Sequence, residues 1–69
     1  MKEYFIVFYS CFDRNGYIAK YEAIPLNHQF SLTNSLNESY KFEAYAIAEE
    51  FIKNQTKGFF QIQKIYLHP

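Results

Sequence analysis

Apolar and polar positions follow different rhythms along this chain, and each rhythm predicts an element. Tyr4 to Phe12 is apolar on both alternating faces and rich in β-branched and aromatic residues. Such a run is short for a helix and suits a central strand. Asp13-Arg14-Asn15-Gly16 interrupts it. Asn-Gly between two strand-like runs predicts a hairpin turn there, because both residues tolerate positive φ. Tyr17 to Ile24 is then the second strand, and Pro25, which cannot donate to a ladder, ends its pairing.

Residues 25–38 read as a loop. Leu26 to Asn37 contains no Asp, Glu, Lys or Arg and is rich in Asn, Ser and Thr, with Leu26, Phe30, Leu32 and Leu36 available to pin it. A loop this long in so small a domain often carries function. From Tyr40 to Gln55 the rhythm becomes helical. Tyr40, Ala44, Ile47, Ala48 and Phe51 form one stripe, and Lys41, Glu43, Glu49, Glu50 and Lys53 fall mostly opposite. Ser39 is the expected N-cap, with Asn37 as the fallback, and Gly58 suits the exit. Phe59 to Leu67 is the third strand, although Ile62 and Ile65 both ask for burial at an odd spacing.

Strand, strand, helix, strand gives an α+β fold of two layers. One helix covers one face of a three-stranded antiparallel sheet. The favoured crossover sets the third strand beside the first, in the order 2-1-3. Alternation puts Ile6, Phe8, Ser10 and Phe12 on one face with Tyr17, Ala19, Tyr21 and Ala23. It puts Phe5, Val7, Tyr9 and Cys11 on the other with Ile18, Lys20, Glu22 and Ile24. The first set lacks charge and offers small alanines, so it is expected beneath the helix. The second set would then be open, with Phe5, Val7, Tyr9, Ile18, Lys20 and Ile24 as interaction candidates. Phe42 points away from the helical stripe, with Tyr45 and Ile52 bridging back towards it. It either staples the helix start to the loop or extends a partner surface together with Tyr45.

Length and composition narrow the partners. At 69 residues the chain is one domain, near the lower size limit for a core without disulfides or metal. Aromatic residues make up 22%, and large rings bury much area per residue. Lys plus Arg and Asp plus Glu each number 7, which disfavours a nucleic-acid partner and leaves little repulsion between copies. Met1-Lys2-Glu3 followed by an apolar run to Cys11 superficially mimics a lipoprotein signal. Glu3 and the bulky Phe8-Tyr9-Ser10 favour a strand instead. No apolar run reaches the length of a membrane span, and a single cysteine suits a cytoplasmic setting.

Chemical groups are sparse. Cys11 has no nearby cluster of bases, and with His28 and His68 it makes no metal spacing. Glu43, Glu49 and Glu50 read as a solvated helix face. Gly16 and Gly58 are the only glycines, and turns account for both. These features imply no enzyme, no cofactor and no metal. They point to a small protein-interaction module that forms a homodimer or docks on another protein. The alternative is a single-stranded nucleic-acid binder that stacks bases on sheet aromatics such as Phe5 and Tyr9 beside Lys20.

Overall fold

A computed structural model describes residues 2–22, 29–55 and 57–68. It is α+β, with one helix packed on an antiparallel sheet of four strands. The strands are β1 (Lys2–Cys11), β2 (Arg14–Glu22), β3 (Gln29–Thr33) and β4 (Phe59–Leu67), and the helix is α1 (Tyr45–Lys53). Their order across the sheet is β3-β2-β1-β4. β1 is central, and β4 lies antiparallel beside it from Lys2↔Leu67 to Ser10↔Phe59.

The sheet has one strand more than expected. Within the expected loop, Gln29–Thr33 pairs with β2 and becomes an edge strand. Phe30 and Leu32 alternate with polar residues, and both pack against the core.

The hairpin turn is also displaced. Cys11 pairs with Arg14, so Phe12 and Asp13 form a two-residue turn, with Asn15 and Gly16 already inside β2. Phe12 adopts φ +54°, a conformation that a bulky residue rarely takes. Gly16 serves another purpose. A Cβ at this position would sit 3.0 Å from the Thr33 carbonyl oxygen and 3.4 Å from the Leu32 Cβ, so glycine lets β3 approach.

α1 is shorter than the helical stripe. It starts at Tyr45 with Ala44 at its N-cap, and Ala44 makes no side-chain capping bond. Ser39, the expected cap, is buried five residues upstream of Ala44, after a 3-10 turn at Leu36–Glu38. Its hydroxyl donates to the Leu36 carbonyl at 2.6 Å. The Lys41 ammonium donates to the carbonyls of Leu36, Asn37 and Ser39 at 3.0, 2.9 and 2.8 Å, which uses all three of its N–H groups.

Residues 40–42 are claimed by the sheet. β1 and β2 pair only from Phe8↔Tyr17 towards the turn, and beyond that point the two strands part. Tyr40 N–H donates to the Ile18 carbonyl at 2.7 Å. Phe5 and Phe42 exchange both backbone bonds at 2.8 Å. The segment is a wedge that satisfies backbone groups the fork would otherwise leave bare.

The two faces of the sheet are exchanged relative to the expectation. The core beneath α1 is Phe5, Val7, Tyr9, Ile18, Phe42, Ala48 and Phe51, with Phe30, Leu32, Ile52, Phe60 and Ile62 packed around it. A β-bulge in β2 explains why the charge of Lys20 does not spoil this face. Ile18 pairs with Leu32 but Lys20 pairs with Ser31, so Ala19 is an extra residue. The bulge turns Lys20 to the side opposite Ile18.

Aromatic rings knit the core. Phe51 lies 5.6 Å from Phe42, 5.7 Å from Phe30 and 6.1 Å from Phe60, and Tyr9 lies 5.2 Å from Phe30 and 5.0 Å from Phe60. Edge-on and tilted geometries at these separations each add about 0.5–1.5 kcal/mol beyond area burial. Gly58 closes the other side of Tyr9. It adopts φ +98°, and a methyl group there would collide with the Tyr9 ring. Phe30 and Phe60 hold that ring, so it cannot swing away. Gly58→Ala is therefore expected to destabilise the domain by about 2–4 kcal/mol, combining the left-handed backbone with overpacking. A urea titration checks this, and a loss under about 1 kcal/mol would mean that the ring yields.

Candidate interaction surface

The face of the sheet away from α1 is formed by alternate residues of the strands. β1 presents Tyr4, Ile6, Phe8 and Ser10. β2 presents Tyr17, and β4 presents Phe59, Gln61, Gln63, Ile65 and Leu67. Tyr4, Phe8, Tyr17 and Ile65 are half-buried, and Ile6, flanked along β1 by Tyr4 and Phe8, is fully buried. Phe8 and Tyr17 stack edge-on at 5.3 Å. The Lys2 ammonium stands 5.2 Å from the Tyr4 ring centre. Central strand β1 thus carries large apolar side chains to both faces, and the one helix covers one of them.

Two phenylalanines stand clear of the body at one end of the sheet. Phe12 on the hairpin tip is 99% exposed, and Phe59 at the start of β4 is 83% exposed. Between them is a depression of about 460 Å³ lined by Cys11, Phe12, Lys57, Gly58 and Phe59. A second, smaller groove of about 260 Å³ runs between α1 and β4. Tyr45, Glu49, Ile52, Lys53, Phe60 and Ile62 line it.

The residues expected to form an open face are mostly elsewhere. Phe5, Val7, Tyr9 and Ile18 are in the core, so this set does not lie on the open side. Phe42 is buried too, as the centre of the wedge rather than a helix staple. Tyr45 is about half exposed at the first turn of α1, with its ring 5.8 Å from Phe5. Lys20 is exposed beyond the bulge, and Ile24 lies outside the described residues. Phe5 and Tyr9, the rings needed for base stacking beside Lys20, are closed off beneath α1. Sequence reasoning missed Tyr4, Phe8 and Tyr17. The signal for them was present in the two-sided apolarity of β1.

Among the described residues, no group of three or more His, Cys, Asp or Glu is placed to hold a metal ion. Cys11 is half-buried at the end of β1, His68 is exposed beyond β4, and His28 lies outside the described residues. The Tyr9 phenol has its pKa raised, first by hydrogen bonding with the Cys11 side chain, then by burial, with Arg14 pulling the other way. These causes stabilise the neutral phenol and do not activate it. No helix is long and apolar enough to cross a membrane among the described residues. Compared with family models, with curated proteins and with solved structures, the chain matches none.

Proposed function

We propose that this chain is a small non-enzymatic interaction module that associates with a second copy of itself through the sheet face opposite α1. The observation that supports this is the set Tyr4, Phe8, Tyr17 and Ile65, half-buried around the fully buried Ile6 on the side away from α1. Apolar surface of that kind on so small a domain gains free energy when a partner removes it from water. Tyrosine and phenylalanine are the usual anchors of such contacts. Equal numbers of acidic and basic residues leave no net repulsion between copies.

Phe8 is the residue to test. It sits mid-face on the central strand, away from either sheet edge and away from α1. Phe8→Lys should keep the fold, because the lysine stem can lie along the face with its ammonium in water. It should weaken association at least about tenfold, since a charge at the middle of an interface must be desolvated. Sedimentation over a concentration series reads the effect. A wild-type protein that stays monomeric, or a variant that associates as well as wild type, would overturn the face as the contact.

A further inference from the structure

The strand β4 is a sheet edge of unusual composition. It runs for nine residues, Phe59–Leu67, and none of the described residues pairs with its outer side. Long, flat, apolar edges are normally blunted by proline, inward charge or bulges. Here the strand has no proline and one charge, Lys64, which already has Glu3 as a partner at 3.2 Å. The ladder to β1 is continuous from end to end.

Its apolar ends match when the strand is read against its own reverse. Set antiparallel about Gln63, all nine residues find an opposite number, with Phe59 facing Leu67, Phe60 facing Tyr66 and Gln61 facing Ile65. Of the three most exposed apolar residues of the strand, Phe59 and Leu67 then meet each other on one face, and Tyr66 meets Phe60 on the α1 side. Gln63 faces itself, and Ile62 faces Lys64. Moving the centre to Lys64 would oppose two ammonium groups, and any other centre leaves residues unpaired.

The groove beside the strand suits the same arrangement. On the α1 side an incoming copy of β4 brings Tyr66 and Lys64 alongside Phe60 and Ile62, which line the groove together with Glu49 and Lys53. The incoming Lys64, held by Glu3 of its own chain, meets one charge of each sign there, Glu49 and Lys53. An edge strand flanked by a groove against a helix is the general geometry for strand addition, in which the backbone gives affinity and the groove gives choice.

We infer that β4 pairs antiparallel with β4 of a second copy about a two-fold axis at Gln63, joining two sheets into one of eight strands. This rests on reading the chain as an interaction module. It adds a contact separate from the open face, and the two contacts can be tested apart.

The experiment uses the Phe8→Lys background, in which the face contact is removed, and measures mass by sedimentation. That variant should still form dimers. Adding Gln63→Lys, or separately Gln63→Glu, should weaken the dimer at least about tenfold, because like charges then face each other across the axis. Mixing the Lys and Glu proteins should restore it as a heterodimer. Thermal melts of both variants should match the parent, since Gln63 is a partly exposed edge residue. As a second readout, Gln63→Cys with Cys11→Ser should cross-link under mild oxidation, because directly opposed residues lie within disulfide reach. Gln61→Cys should not cross-link. If Phe8→Lys is monomeric while wild type dimerises, the edge pairing is wrong and the face reading stands. If dimers persist but mixing gives no rescue, the axis is not at Gln63. If every protein is a monomer, both readings fall, and the edge is left for a strand of another protein.

Discussion

Val7→Lys should leave the domain unfolded, while the same replacement one residue along, at Phe8, should leave it folded. The two positions are neighbours on β1 and face opposite sides of the sheet. Val7 has no exposed surface and belongs to the core beneath α1. A lysine there loses the burial of the valine and must place an ammonium among Phe5, Tyr9, Ile18 and Phe51 with no counter-charge in that cluster. The cost of such a group is several kcal/mol, and a domain of this size commonly has only about 3–5 kcal/mol to lose. Far-UV circular dichroism and urea melts of the pair read the contrast directly. A folded, cooperative Val7→Lys protein would mean that α1 lies on the other face.

Phe51→Ala should be the most damaging truncation, at about 3–5 kcal/mol. Phe51 is fully buried on α1 and is the ring where three separate parts of the chain meet. Phe42 comes from the wedge, Phe30 from β3 and Phe60 from β4. Each of those elements meets the others partly through this side chain. A cavity at that point cannot be filled by one small shift. Ile47→Ala, on the half-exposed side of the same helix, provides the control and should cost much less. Denaturant midpoints at equal slope separate the two, and equal losses would mean that the helix is rotated from the orientation described.

What the sequence made legible was local, and what it hid was long-range. The bounds of β4 were readable to its end residues from Gly58 and the run Phe59 to Leu67, while the odd spacing of Ile62 and Ile65 is met by an unbroken ladder that sends them to opposite faces. The pairing parity of β1 and β2 was readable, since it depends only on alternation. The position of the turn was not. Asn15-Gly16 is the stronger local signal, yet Gly16 is needed where β3 crosses close to β2, and Phe12 accepts the positive φ instead. The helix start was misread for a similar reason. Tyr40 and Ala44 fit the stripe of α1, but the fork between β1 and β2 leaves backbone groups bare. Residues 40–42 satisfy them. Phe42 pointing off the stripe was the trace of this in the sequence.

The candidate surface followed from the faces, so it shifted with them. Lys20 argued that the side carrying Ile18 should meet water, and that argument holds only for an unbroken strand. One extra residue at Ala19 removes the conflict, and a bulge there has no signature in Ile18-Ala19-Lys20-Tyr21. The underlying inference needed only β1. A central strand apolar on both sides sends large side chains to a face on which α1 does not pack.

The fork in the sheet has a kinetic meaning. From Phe8 to the turn, β1 finds its partner within the hairpin, which can close in microseconds. From Lys2 to Val7 it has no such neighbour. Its partners are Phe42 on one side and residues 62–67 on the other, so residue 2 waits for residue 67. Closing those long loops costs chain entropy before any contact repays it. Folding should therefore proceed as a quick hairpin tip followed by a slower single closing step. In that step the wedge, α1 and β4 arrive together, and until then the first half of β1 stays an apolar strand without a sheet.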